Sequence, residues 1–300
     1  MNLINQNVQL PILAEKQVAL QIKREDLIHP LISGNKYRKL KYNIAAAQTA
    51  GKKTLLTFGG AYSNHIAATA YAGKLHQLHT IGIIRGEELE FKWKDNPTLR
   101  LASEHGMRFK FVDRKTYRNK EDSSFLEDLG MEFGDFYQLP EGGTNALAVK
   151  GCEEILNVED HTFDIIATSV GTGGTLSGII NAAKDGQKVL GFPALKGDFL
   201  KEDICKFVRK DNWELCTSYH FGGYAKVTPD LIRFINDFKK QTQIPLDPIY
   251  TGKMVYGILD MIKHDYFKPQ TKVLVIHTGG LQGIAGMNRI LAQKKMPLLH

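Results

Sequence analysis

Residues 163–186 read FDIIATSVGTGGTLSGIINAAKDG. A short apolar run stops at a glycine-rich turn, and an amphipathic stretch closed by Gly186 follows. A run with so little polar alternation fits a strand buried on both faces, and the stretch after the turn fits a helix that covers it. The same order recurs in both directions. TLLTF (54–58) leads through GGAYSN (59–64) to a helix, HIAATAYAGKLH (65–76), and on to the strand TIGIIRG (80–86). Asn96 caps a helix with Pro97 in its first turn, which runs to Gly106 before the strand MRFKFVD (107–113). KVLGFPAL (188–195) and VLVIH (273–277) are further strands, whereas 227–243 and 253–267 carry helical periodicity. PEGGTN (140–145) reads as a turn before the helix ALAVKGCEEIL (146–156), and the polar stretch at 117–130 as a surface helix or lid. Strands and helices in this alternation specify an α/β fold with mainly parallel sheets covered on both faces.

Three hundred residues, 43% of them hydrophobic, support a large core and, at roughly 150 residues per domain, two domains. No repeat or low-complexity linker marks a boundary. The pattern places a smaller α/β unit at 45–142, inserted into a larger one made of 1–44 plus 143–300. The start of the chain lacks a basic segment followed by an apolar run, and no window reaches the roughly 18 apolar residues of a membrane helix, so a cytoplasmic location and no membrane partner are expected. Three cysteines, Cys152, Cys205 and Cys216, with no metal-type spacing, argue against a disulfide framework and a metal site and read as buried thiols. The net charge of +7 is spread along the chain with acids interleaved, which fits attraction for small anions better than nucleic-acid binding.

Three strand-to-helix loops are rich in glycine and small hydroxyl residues: GGAYSNH (59–65), GTGGT (171–175) and HTGG (277–280). In parallel sheets such loops gather at the carboxyl ends of strands, where ligands bind. Gly171, Thr172, Gly173, Gly174 and Thr175 form the best phosphate loop, because glycine lets the backbone approach and a helix N-terminus follows. The loop lacks the Lys of a Walker motif, and Leu176 stands where a dinucleotide fingerprint needs glycine. A lone phosphate monoester is the better fit. SGNKYRKL (33–40) crowds Lys36, Arg38 and Lys39 against a Ser33-Gly34-Asn35 turn, although helix N-termini prefer acids. An exposed basic helix is the plain reading. The alternative is an anion among the three cations, with Lys36 partly desolvated and its pKa lowered by burial and by its cationic neighbours, as suits a Schiff-base nucleophile.

Taken together, KREDL (23–27), SGNKYRKL, GGAYSNH, SVGTGG, DPIYTGK (247–253) and HTGG, in this order over nearly the whole chain, resemble the pyridoxal-phosphate-dependent enzymes of the tryptophan synthase β-like fold (fold type II), and within them the 1-aminocyclopropane-1-carboxylate deaminase and D-cysteine desulfhydrase group. The resemblance implies two three-layer domains, pyridoxal 5'-phosphate as cofactor, a small amino acid as substrate and a homodimer. It makes Lys36 the Schiff-base lysine and Lys39 a phosphate contact beside the 171–175 loop. Asn64 meets the cofactor's phenolic oxygen, and Ser63, Asn64 and His65 cradle the substrate carboxylate. Ser63 and Asn64 also fit an ordinary helix cap, and His65 a solvent-facing histidine. Thr251 and Thr278 fall at the two positions near the pyridine nitrogen where the ring-opening deaminases carry Glu and Leu, which points to D-cysteine desulfhydrase. Lys36 is then the base, with Ser63 or Tyr250 assisting. Tyr224 matches a second substrate-site tyrosine or, equally, a buried structural one. The alternatives are 1-aminocyclopropane-1-carboxylate deamination, a related elimination such as that from L-cysteate, and a non-catalytic small-anion binder.

Overall fold

A computed structural model describes residues 3–32, 34–197 and 199–300, so Ser33 of the expected turn lies outside the described residues. Among the described residues ten strands occur in chain order: β1 (Asn5–Asn7), β2 (Ala19–Lys23), β3 (Thr54–Gly59), β4 (His79–Arg85), β5 (Met107–Val112), β6 (Tyr137–Leu139), β7 (Ile165–Val170), β8 (Lys188–Pro193), β9 (Trp213–Leu215) and β10 (Lys272–Ile276). The helices are α1 (Pro11–Glu15), α2 (Asn35–Thr49), α3 (Asn64–Leu75), α4 (Pro97–Glu104), α5 (Arg114–Arg118), α6 (Ser123–Phe133), α7 (Ala146–Glu153), α8 (Gly174–Ala182), α9 (Phe199–Cys205), α10 (Pro229–Thr242), α11 (Thr251–Lys263) and α12 (Gly283–Gln293).

The strands form two sheets, one ordered β1-β2-β10-β7-β8-β9 and the other β5-β4-β3-β6. Of these described strands only β1 runs antiparallel to its neighbour. Central strand β10 shows why an unbroken apolar run was needed. Val273 and Val275 face α10, α11 and α12, while Leu274 and Ile276 face α8 and the end of α7. All four are 0% exposed, each burial stabilising by roughly 1.5–3 kcal/mol. The second sheet lies wholly between residues 54 and 139, inside the stretch expected as the smaller unit, although position 45 falls within α2.

Helix α2 ties the layers together. Leu40, Ile44 and Ala47 pack under the second sheet. On the other side α7 comes so near that a Cβ on Gly151 would lie 2.0 Å from Arg38 O, and a Cβ on Gly178 would lie 2.5 Å from Cys152 Cβ. The lysines at the start of α2 are thereby held next to α8 and its glycine loop.

Two expectations change. The stretch over α6 is no lid: Leu129 is 0% exposed and packs with Phe125, Leu126 and Phe133 against Leu56, Phe58 and Ile81. These residues share one helical face, which the surrounding charges obscured. Of the cysteines, Cys152 is buried, Cys216 half-buried and Cys205 exposed. Strand β2, unrecognised in the sequence, brings the N-terminal segment into the first sheet beside β10. Among the described residues no helix is long and apolar enough to cross a membrane.

Candidate active site

The loops after β3, β6, β7 and β10 meet where α2 begins. Gly34, at φ +55°, sits against the β10 loop, where a Cβ would lie 1.9 Å from Thr278 O, and Asn35 N donates to that carbonyl at 3.3 Å. Asn35 Nδ2 donates to Thr175 Oγ1 at 2.8 Å. The first turn of α2 is thus fixed to the first turn of α8, and Lys36 and Lys39 project between them.

The crowd of cations resolves by helical spacing. Arg38 points away from the loops and makes a two-pronged pair with fully buried Glu25, at 3.0 and 2.9 Å. It therefore needs no outside anion, and it is not what perturbs Lys36. Lys36 and Lys39 lie on the other face. Both donate to Gly142 O at 3.1 Å, and Lys39 also donates to Thr144 Oγ1 at 2.9 Å and Thr172 Oγ1 at 3.4 Å. Burial, then the charge of Lys39, holds Lys36 well below the usual lysine value; burial lowers Lys39 to about 8. Among the described residues neither has a carboxylate partner.

The meeting point at Gly142 belongs to a loop read from the sequence only as a turn. Gly142 and Gly143 have φ of +67° and +71°, and Gly142 abuts Thr172. Thr144 Oγ1 lies 2.6 Å from Thr172 Oγ1. Its signal was present: PEGGTN has the glycine-and-hydroxyl make-up of the other three loops and follows a three-residue strand too short to recognise. Gly143 packs on His65, which is 1% exposed and not solvent-facing. Thr57 Oγ1 donates to Leu139 O at 3.1 Å and therefore accepts from His65 Nε2 at 2.8 Å, which leaves Nδ1 as an acceptor without a partner among the described residues. Burial, then Lys36 and Lys39, keeps the imidazole neutral.

Ser63 caps α3, accepting from Ile66 N at 3.4 Å, and Asn64 opens the helix with its side-chain nitrogen beside Gly280. Tyr250 Oη lies against Gly171. Burial, then neighbouring Tyr224, raises Tyr250 well above the ordinary tyrosine value, so it keeps its proton at neutral pH. The Tyr224 ring stands edge-on 6.2 Å from that of Tyr250 and is 43% exposed, so it is not a buried structural residue.

The two threonines differ. Thr278 Oγ1 lies 3.2 Å from Ser169 Oγ at the ends of β10 and β7. Thr251 is 0% exposed; its hydroxyl donates to Asp247 Oδ1 and accepts from Asp247 N, at 2.8 and 2.9 Å. Asp247 also accepts the amides of Ile249, Tyr250 and Thr251. The Thr251 hydroxyl therefore braces the Asp247 turn that leads into α11, and its proton is already given to Asp247, which differs from its expected place as a ring-nitrogen donor. Asp247 and Ser169 are site residues that the sequence reading passed over.

These groups fit pyridoxal phosphate. The phosphate would take the glycine loop, the first amides of α8, which no helix carbonyl satisfies, and the Lys39 cation, which lacks a counter-ion. Lys36 offers a desolvated amine in the same space. Among the described residues no cluster of acids, histidines or cysteines is arranged for a metal.

Comparison with known proteins points the same way. The family model described as "Pyridoxal-phosphate dependent enzyme" matches residues 5–279. A Pyrococcus horikoshii protein provisionally named as a 1-aminocyclopropane-1-carboxylate deaminase is 30% identical over 282 residues, 87% of this chain and 84% of that one. The Arabidopsis thaliana mitochondrial bifunctional D-cysteine desulfhydrase/1-aminocyclopropane-1-carboxylate deaminase is 30% identical, covering 88% of this chain and 73% of its own length. The crystal structure of a homologue of 1-aminocyclopropane-1-carboxylate deaminase superposes with a TM-score of 0.84 at 28% identity, covering 98% and 94% of the two chains.

Proposed function

The chain belongs to the family of pyridoxal-phosphate-dependent enzymes, in the group similar to 1-aminocyclopropane-1-carboxylate deaminase, and from that premise we propose that it is a D-cysteine desulfhydrase, converting D-cysteine and water to pyruvate, sulfide and ammonia. When bound, pyridoxal phosphate supplies an aldehyde for the substrate amine and a ring that draws electrons from Cα. The remaining work falls to the chain. Lys39 and residues 171–175 hold the phosphate. The amides of Asn64 and His65, at the start of a twelve-residue helix, take the substrate carboxylate, with the Ser63 hydroxyl alongside. Lys36, kept neutral by burial, first acts as the nucleophile and then takes the Cα proton. The Cβ–S bond breaks with its electron pair on sulfur. Tyr250, holding its proton, gives a hydrogen bond to the leaving sulfur rather than acting as a base.

One observation supports the choice of substrate: the Thr278 and Ser169 hydroxyls lie 3.2 Å apart where the resemblance puts the ring nitrogen, and among the described residues no free carboxylate stands beside them. Asp247, the nearby acid, is saturated by four donors. Neutral hydroxyls hydrogen-bond the nitrogen without holding a proton on it, which suffices where a good leaving group does part of the work. The homodimer and cytoplasmic location form part of the same proposal.

D-cysteine, L-cysteine and 1-aminocyclopropane-1-carboxylate, assayed side by side, test it. Sulfide and pyruvate from D-cysteine are expected, and 2-oxobutyrate from the cyclopropane would replace the proposal with ring opening. Lys36→Ala abolishes turnover and the visible absorption that the purified protein gains with pyridoxal phosphate. Absence of that absorption in the parent protein would leave only an anion binder.

A further inference from the structure

The second half of DPIYTGK holds a buried cation that the proposed chemistry does not use. Lys253 is 2% exposed, and its Nζ donates to His220 O and Gly223 O, both at 2.9 Å. Those carbonyls belong to the segment that presents Tyr224. Around it Phe221 and Ala225 have φ of +52° and +55°, a conformation L-residues avoid, and Gly222 and Gly223, at +89° and +113°, prefer no one shape, so local preference does not hold the segment as it is. The helix α11 does. Lys253, Gly257 and Asp260, spaced i, i+4, i+7, share one face. A Cβ on Gly257 would lie 2.9 Å from the Tyr219 ring, and Tyr219 Oη donates to Asp260 Oδ2 at 2.9 Å. Tyr256 meets the Phe221 ring edge-on at 5.0 Å. The same helix starts at Tyr250, whose ring faces Tyr224.

We infer that Lys253 is a positioning residue: it clamps the 220–224 segment onto α11 and thereby sets Tyr224 opposite Tyr250, fixing one wall of the substrate site. Burial lowers its amine to about 8, in keeping with a buried cation bound only by carbonyls. The inference rests on the proposed function only in taking Tyr250, and with it the Tyr224 ring it meets, to border the substrate; the clamp itself is testable without a substrate.

Lys253→Met keeps the aliphatic stem and removes the donors. With no ligand added, amide hydrogen exchange over 220–226 should accelerate about tenfold, while α10 and β10 stay protected. With the cofactor-loaded enzyme, KM should rise about tenfold with little change in kcat. Combined with Tyr224→Ala, the substitution should add nothing, because it acts through that ring. Lys253→Gln, with one shorter donor arm, should fall between, and serves if the Met variant does not fold. Unchanged exchange over 220–226 in either variant overturns the clamp. Independent, multiplying effects of the Lys253 and Tyr224 substitutions overturn the link to Tyr224. If the parent turns over none of the three amino acids, the proposed function fails, and the clamp stands or falls on exchange alone.

Discussion

Lys39 is a buried cation bonded only to neutral oxygens, so its charge costs stability until an anion arrives. Its folded pKa of about 8 lies below the roughly 10.4 of an unfolded lysine. Between those values the unfolded chain binds more protons, so this residue's contribution to stability rises with pH across that window and is least favourable below it. Phosphate reverses the balance, because it binds the charged form. Inorganic phosphate should therefore raise the melting temperature more at pH 7 than at pH 9.5, and Lys39→Met should remove the difference. The two threonines separate in the same terms. Thr251→Val strips a buried hydroxyl from Asp247 and should cost about 1–3 kcal/mol in urea denaturation. Thr278→Val should change stability far less and alter instead the absorption of the bound cofactor.

At the scale of elements, the site depends on how closely α2, α7 and α8 approach. Gly151 and Gly178 are small because backbone or side chain of the next helix occupies the space a Cβ would need. Gly151→Ala forces α7 away from Arg38 O and should destabilise by about 1–3 kcal/mol, with a matching loss of pyridoxal phosphate affinity measured by absorbance titration. In the sequence, GCEEIL passed as an ordinary helix: nothing local distinguishes a glycine at a helix crossing from a tolerated one. The strand-turn-helix order was legible because each element repeats its own period. The apolar face of α6 was not, because Phe125, Leu126, Leu129 and Phe133 are interrupted by Glu127, Asp128 and Glu132, and a fifth apolar residue, Met131, lies off that face and is exposed.

Across the whole molecule, the first sheet is assembled from both ends of the chain. Lys23 on β2 lies beside the end of β10 and pairs with Asp160, 137 residues away, at 2.6 Å, with both side chains almost fully buried. Asp160→Asn leaves that ammonium without its counter-charge and should cost about 3–5 kcal/mol, read from urea denaturation. KREDL drew notice in the sequence only as part of a resemblance. In the fold its first four residues are buried ion-pair partners: Lys23 with Asp160, Arg24 with Asp26, and Glu25 with Arg38.

The sequence by itself determined the α/β class, the glycine loops at strand ends and the crowd of three cations, Lys36, Arg38 and Lys39, beside a glycine turn, because these follow from periodicity and from the chemistry of neighbouring residues. The tertiary structure decided that Arg38 is answered by Glu25 while Lys39 is not, that His65 is buried and neutral, that Thr278 rather than Thr251 keeps an available hydroxyl, and that Gly142 joins the two lysines. Helical spacing sends adjacent residues in different directions. Which of them meets a carboxylate, a carbonyl or open space depends on segments many residues away, and that information exists only once the sheets have packed.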